Sequence, residues 1–145
     1  MRLVLDSNIV LSVLVPDEHT PLALKFFERA DDRGVSFEAP QLLLNEVAHV
    51  LLRLHRVKKI SVGTAQAAYT RASGFSFLQR SDPQLGRFDF DLGLRHMIGG
   101  SDLFFVRLAR ELDCPLVTMD GPLRTNAAAV AETLDLDGAL ARLGV

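Results

Sequence analysis

The chain of 145 residues reads as a single α/β domain, 1–145, built on a mainly parallel central sheet. Three observations point there. Short apolar runs alternate with longer stretches of helical period along the whole length. Two of the runs, Leu3-Val4-Leu5 and Leu116-Val117-Thr118-Met119, each end at an aspartate, Asp6 and Asp120. No repeat, low-complexity tract or linker divides the chain.

Taken in order, Arg2–Leu5 is a short buried strand and Ile9–Leu14 continues as a helix. Leu22–Ala30 is helical, with Phe26 and Phe27 apolar and Gly34 ending it, and Val35–Glu38 is a second strand. Gln41–Arg56 is the clearest helix, with Leu43, Val47, Val50, Leu51 and Leu54 on one face. Ser61 or Thr64 caps a helix through Ala72, and Phe75–Leu78 is a third strand. Ser81–Asp91 matches no pattern, whereas Leu92–Ile98 is helical and stops at Gly99-Gly100. Ser101 caps a helix to about Asp113, and Pro115–Met119 is the next strand. Beyond Gly121 come a short helix, a strand near Val130–Glu132 and a terminal helix.

Composition narrows the class. No apolar window is long enough to span a bilayer, and the charged start Met1-Arg2 leads into a strand rather than a signal segment. The single cysteine, Cys114, rules out an internal disulfide framework and suits a reducing cytoplasm, with a small apolar role at a helix–strand junction. Net charge is −2, unpromising for a nucleic-acid binder. With the four candidate acids below set aside, however, the remainder is net +2, and bound divalent cations would invert the local field. At 48% hydrophobic residues, there is apolar surplus enough for an interface.

Four carboxylates stand out. Asp6 and Asp120 follow strand ends, where ligands bind in open parallel sheets, and neighbouring strands would bring them together. Each also has a plain structural role open to it: an N-cap for Asp6, a turn before Gly121-Pro122 for Asp120. Glu46 lies roughly 80° from the centre of its helix's apolar stripe, beside Leu42, His49 and Arg53, so that it leans over the sheet edge without being buried or is simply solvated. Asp102 opens the helix whose core face is Phe105, Leu108, Ala109 and Leu112. A first-turn acid complements the helix dipole, which should lower its proton affinity. Oxygen-only donors suit a hard cation, Mg²⁺ with Mn²⁺ as substitute. Such a site supports in-line attack on a phosphodiester.

The order and spacing of these pieces resemble the PIN-domain family, and within it the VapC-like ribonuclease toxins of type II toxin–antitoxin pairs. The resemblance spans essentially the whole chain. It is carried by Leu3-Val4-Leu5-Asp6-Ser7-Asn8, Leu43-Leu44-Asn45-Glu46-Val47, Ser101-Asp102 with Leu108-Ala109-Arg110-Glu111-Leu112, and Pro115-Leu116-Val117-Thr118-Met119-Asp120. It implies a three-layer α/β/α fold and an endoribonuclease with Asp6, Glu46, Asp102 and Asp120 around magnesium. Asn8 and Thr118 match positions that support the acids by hydrogen bonds, and Ser7 can do likewise. A homodimer and a cognate antitoxin laid across the groove are implied as well. Leu103 departs from the pattern, which has a small residue after the third acid.

The basic stretch Arg53, Arg56, Lys58 and Lys59 is either solvated helix-end charge or an RNA contact. Asp89 and Asp91 read as alternating with buried phenylalanines on an exposed edge or turn; Asp31-Asp32 and Asp135/Asp137 read as solvated helix ends. The four histidines have no zinc-ligand spacing, and neither a nucleophile triad nor a phosphate-cradling loop is present. A phosphatase with Asp6 as nucleophile is opposed by Asn8, where a second acid is wanted. The alternative from another class is a catalytically inactive PIN-like binding module acting through protein or RNA partners; four intact acids oppose it.

Overall fold

The computed structural model describes residues 1–75, 77–80 and 84–145, the side chains of 77–80 excepted. The elements run β1 (Arg2–Leu5), α1 (Ser7–Leu14), α2 (Thr20–Asp32), β2 (Ser36–Pro40), α3 (Leu42–Arg56), α4 (Val62–Ser73), β3 (Phe77–Arg80), α5 (Arg87–His96), α6 (Gly100–Leu112), β4 (Leu116–Val117), α7 (Gly121–Ala127), β5 (Thr133–Leu134) and α8 (Leu136–Arg142). The five strands pair in the order β3-β2-β1-β4-β5, every described pairing parallel. From β1 the chain winds outward to β3, then crosses back to place β4 on the other side of β1. The reversal puts a topological switch point between β1 and β4, where sheets of this kind open a crevice at the strand carboxyl ends.

Side-chain alternation along β1 divides the core in two. Val4 joins Leu43, Val47, Leu51, Phe105 and Val106 on the face covered by α3 and α6. Leu3 and Leu5 join Phe26, Ala30, Leu136 and Leu140 on the face covered by α2 and α8. β1 is thus buried on both faces, which is why it reads as an unbroken apolar run. The result is a three-layer α/β/α architecture, as the sequence predicts. On the second face Phe26, Phe27 and Phe37 interlock at ring-centroid separations of 5.3 to 5.8 Å, the range of favourable edge and tilted aromatic pairs.

Local chemistry sets the boundaries. Ser61 caps α4 by accepting from the Thr64 N–H at 3.1 Å, and Gly34, with φ +61°, turns the chain out of α2.

Several boundaries differ from expectation. α5 starts at Arg87, five residues before the predicted Leu92. The Asp89 carboxylate accepts the Gly86 N–H at 2.9 Å and pairs with Arg107 of α6 at 3.4 Å, which secures the first turn. Asp89 and Asp91 are therefore helical rather than on an edge, and the flanking Phe88 and Phe90 are exposed. Residues 81–83 of the illegible stretch lie outside the described residues. α5 ends on Met97 in the left-handed region (φ 57°), and Gly99, not Ser101, occupies the N-cap of α6. β3 runs Phe77–Arg80 rather than Phe75–Leu78. The last strand is Thr133–Leu134, not Val130–Glu132, because α7 winds on into a turn in which the Val130 and Ala131 N–H groups bond the Ala127 carbonyl. Asp135 is no free helix end: it caps α8 through the Gly138 N–H and pairs with Arg124, both at 2.8 Å.

Candidate active site

β1 and β4 are neighbours, with Leu5 in register with Val117, so Asp6 and the Thr118–Asp120 segment leave the sheet side by side. Asp6 caps α1, its Oδ1 accepting the Ser7 N–H at 2.6 Å. Its other oxygen, Oδ2, accepts the Thr118 hydroxyl at 2.6 Å and the Asn8 amide at 2.9 Å. Thr118, wholly buried, in turn accepts from Asn8 Nδ2 and from the Asp120 N–H, each at 3.1 Å. Asn8 Oδ1 closes the net by accepting the Met119 N–H at 3.2 Å. Ser7, Asn8 and Thr118 thus lock Asp6 onto the segment that carries Asp120, across 112 residues of sequence. Asp120 caps α7 through the Leu123 N–H at 2.9 Å. The capping roles weighed as alternatives for Asp6 and Asp120 are real, yet they leave both acids at the switch point.

α3 and α6 bring Glu46 and Asp102 within electrostatic reach of Asp6. The Glu46 carboxyl is pushed up to about 7, by burial first and then by the charges of Asp6 and Asp102, with the Ser101 and Ser7 hydroxyls pulling the other way. Burial, then Asp6 and Asp120, raises Asp102 to about 6. Asp6 is also raised, by burial above all, against the hydrogen bonds of Thr118 and Ser7. One expectation holds and one is corrected here. Glu46 is half-buried, as its border position allows, though its Oε1 is inaccessible and has no hydrogen-bond partner. Asp102 holds its proton more tightly than usual, because desolvation and its acidic neighbours outweigh the helix dipole.

Acids from four separate segments are therefore coupled electrostatically in one partly dehydrated place. Such an arrangement favours a bound cation, since without one the neighbours repel and hold protons. The orphaned Glu46 Oε1 also fits a donor lacking its ligand. As placed, however, no three His, Cys, Asp or Glu side chains among the described residues already converge on one metal-holding point.

A groove of about 900 Å³ opens beside the acids. Asp120 lines it directly, with Ser7 and Asn8, while Leu11, Val15, Val50, Leu54 and Ile60 form apolar walls and Arg53 and Lys59 contribute cations. Arg56 and Lys58 are exposed and do not line it, so the basic stretch divides in two. Asp17 and His19 also line the groove, and Ser101 acts on Glu46. Sequence reasoning assigned no site role to these three; only the position of Ser101 next to Asp102 gave a hint. Cys114 lies between α6 and β4, a partly buried free thiol at the helix–strand junction.

The fold and this crevice define a class: a three-layer α/β/α domain on a parallel sheet, with Asp6 and Asp120 leaving the strand ends at its switch point. Among solved structures it is similar to the crystal structure of PAE2754 from Pyrobaculum aerophilum, with a TM-score of 0.73 and 16% identity over 99% of this chain and 96% of that one. It is similar as well to the crystal structure of VapBC2 from Rickettsia felis bound to a DNA fragment from their promoter, with a TM-score of 0.67 and 14% identity over 93% of this chain and 98% of that one. Likeness at such identity establishes the fold. No protein-family model matches the sequence, and no curated protein matches it. Among the described residues no helix is long and apolar enough to cross a membrane.

Proposed function

We propose that this chain is a magnesium-dependent endoribonuclease, the toxin of a VapBC-type toxin–antitoxin pair, working in the cytoplasm. The observation that carries the proposal is the coupling of Asp6, Glu46, Asp102 and Asp120 at the switch point, with a buried carboxylate oxygen of Glu46 left without a partner. Asp6, Glu46, Asp102 and Asp120 would hold the cation. When bound, Mg²⁺ (or Mn²⁺) supplies a lowered water pKa and a charge that offsets the one developing on the leaving oxygen.

The protein's own residues do the positioning. Thr118, Asn8 and Ser7 fix both oxygens of Asp6, so this acid does not have to reorganise as charge develops. The Ser101 and Ser7 hydroxyls favour the charged form of Glu46. The groove receives the RNA backbone, with Arg53 and Lys59 placed to meet its phosphates. Its apolar walls suit a protein segment equally well, which is what restraint by a cognate antitoxin requires. A cationic side chain on that segment, arginine above all, would substitute for the metal's charge among the acids. A homodimer completes the proposed assembly.

The test is cleavage of RNA by purified protein with and without magnesium, beside Asp6→Asn, Glu46→Gln, Asp102→Asn and Asp120→Asn. Magnesium-dependent cuts by the wild type, with loss of on the order of a hundredfold or more in each variant, are the expected outcome. Wild-type rates in all four would remove the site assignment. A second reading, the inactive binding module, is favoured by one observation: the acids do not already close on a metal-holding point. Calorimetric titration with magnesium separates the two, since a module without catalysis would take up no metal at these acids.

A further inference from the structure

The groove beside the acids has two unlike walls. Arg53 and Lys59 stand on the side of α3, whereas Asp17 and His19, from the connection between α1 and α2, stand on another. Phosphates are drawn to the cations and repelled by the Asp17 carboxylate. A strand in the groove therefore keeps its backbone toward α3 and turns its bases toward Asp17 and His19. Leu11 and Leu54 add apolar surface, which suits the flat faces of bases and not phosphates. At about 900 Å³ the groove has room for a whole nucleotide and more.

Asp17 is held from behind and left open in front. Its Oδ1 accepts the His19 N–H at 2.8 Å. Thr20 Oγ1 accepts the Asp17 N–H at 2.8 Å and donates to the Ser12 carbonyl at 2.6 Å, which ties the turn to α1. Oδ2 is engaged by none of the described residues, so the carboxylate offers an acceptor whose direction is already set. Oδ1 keeps a second lone pair as well. The His19 side chain, 40% exposed, lines the groove too and gives a ring on which a base can stack. Glu18, between them, is 87% exposed and does not line the groove, so the turn presents a single carboxylate to it.

We infer that Asp17 reads a guanine in a single-stranded stretch of RNA, with His19 stacked against it. Of the four bases only guanine carries two adjacent donors, N1–H and the N2 amino group, on its Watson–Crick edge, and a carboxylate accepts both. Uracil sets its single donor between two carbonyl oxygens that Asp17 repels. Adenine and cytosine place a ring-nitrogen acceptor beside their amino group. Asp6 caps the start of α1 and Asp17 follows its end; the helix has 8 residues, a length of about 12 Å. The guanine read there flanks the scissile phosphate. The inference rests on the nuclease proposal for its substrate and adds to it the base that is recognised.

Fluorescence anisotropy with short labelled oligoribonucleotides that differ at one base tests it, in chelator so that nothing is cut, with circular dichroism to verify folding. The guanine oligonucleotide should bind about tenfold more tightly than its adenine, cytosine and uracil counterparts. Inosine, which lacks the N2 amino group, should fall between. In Asp17→Asn the side-chain oxygen still accepts the His19 N–H, while an amide donor replaces Oδ2. That variant should lose the guanine preference and favour adenine or cytosine, a reversal that a merely structural turn residue would not give. His19→Ala should weaken all four oligonucleotides alike. Equal binding of the four bases, no binding of any, or a guanine preference that survives Asp17→Asn overturns the inference. Mapping magnesium-dependent cuts in a longer RNA separates it from the proposal beneath it. Cuts with no guanine at a fixed distance overturn the base reading and leave the nuclease standing. Selective guanine binding without any cleavage upholds the base reading and removes the nuclease.

Discussion

Replacing Glu46 by Gln removes one ionisable group from the cluster while keeping its size. In metal-free protein the Glu46 carboxyl is raised from 4.5 to about 7, so the folded chain binds this proton more tightly than the unfolded chain does. The contribution to stability is fully present below the unfolded pKa, near 4.5, and is lost as pH rises through about 7. Taken whole, the shift corresponds to about 3 kcal/mol. Solvent screening of a partly exposed group, and sharing of the repulsion with Asp6 and Asp102, reduce this to roughly 1–2 kcal/mol. Glu46→Gln should therefore be more stable than wild type in chelator at about pH 8, with a melting temperature higher by roughly 3–6 °C. At about pH 4, below the unfolded value, the two should nearly coincide, because the side chain is then largely neutral in the folded and the unfolded chain alike. Thermal unfolding by circular dichroism at both pH values measures it. Magnesium should reverse the order at about pH 8, since binding to the native state stabilises only the protein that can bind. A melting difference that does not change with pH, or a variant less stable than wild type in chelator at the higher pH, would refute the repulsion argument.

Thr118→Val keeps the buried shape but takes the hydroxyl from Asp6, Asn8 and the Asp120 N–H; stability should fall by about 1–3 kcal/mol in urea unfolding, with cleavage reduced more than RNA binding. Phe105→Ala empties a fully buried site beneath α6 and should cost about 3–5 kcal/mol by the same measurement. Asp89→Asn should leave cleavage at the wild-type rate, because Asp89 serves the Gly86 N–H and Arg107; lost cleavage in a folded Asp89→Asn protein would relocate the site. Expressed alone in its host, the wild type should arrest growth and Asp6→Asn should not; equal growth at matched soluble expression would leave at most a non-toxic nuclease.

Much of this molecule was legible in the order of its residues. Apolar runs buried on both faces, as in Leu3-Val4-Leu5, announce central parallel strands, and the period of Leu43, Val47 and Leu51 announces α3, because burial selects side chains locally. The four acids were visible for the same reason: Asp6 and Asp120 end strands, Glu46 sits at the border of an apolar helix face, and Asp102 opens a helix that has one. Other features needed the assembled chain. The start of α5 depends on the Asp89–Arg107 pair, whose partners come from different helices. Phe88 and Phe90 look like core until packing leaves them outside, since hydrophobicity alone does not say which face meets the sheet. The basic residues 53–59 are contiguous in sequence, yet only Arg53 and Lys59 of the four cations considered reach the groove. Proton affinities lay furthest from the sequence. A first-turn acid such as Asp102 should have its pKa lowered by the helix dipole, a local effect. In the folded chain burial and the charges of Asp6 and Asp120 raise it to about 6, because desolvation and through-space repulsion depend on which distant residues the fold brings together.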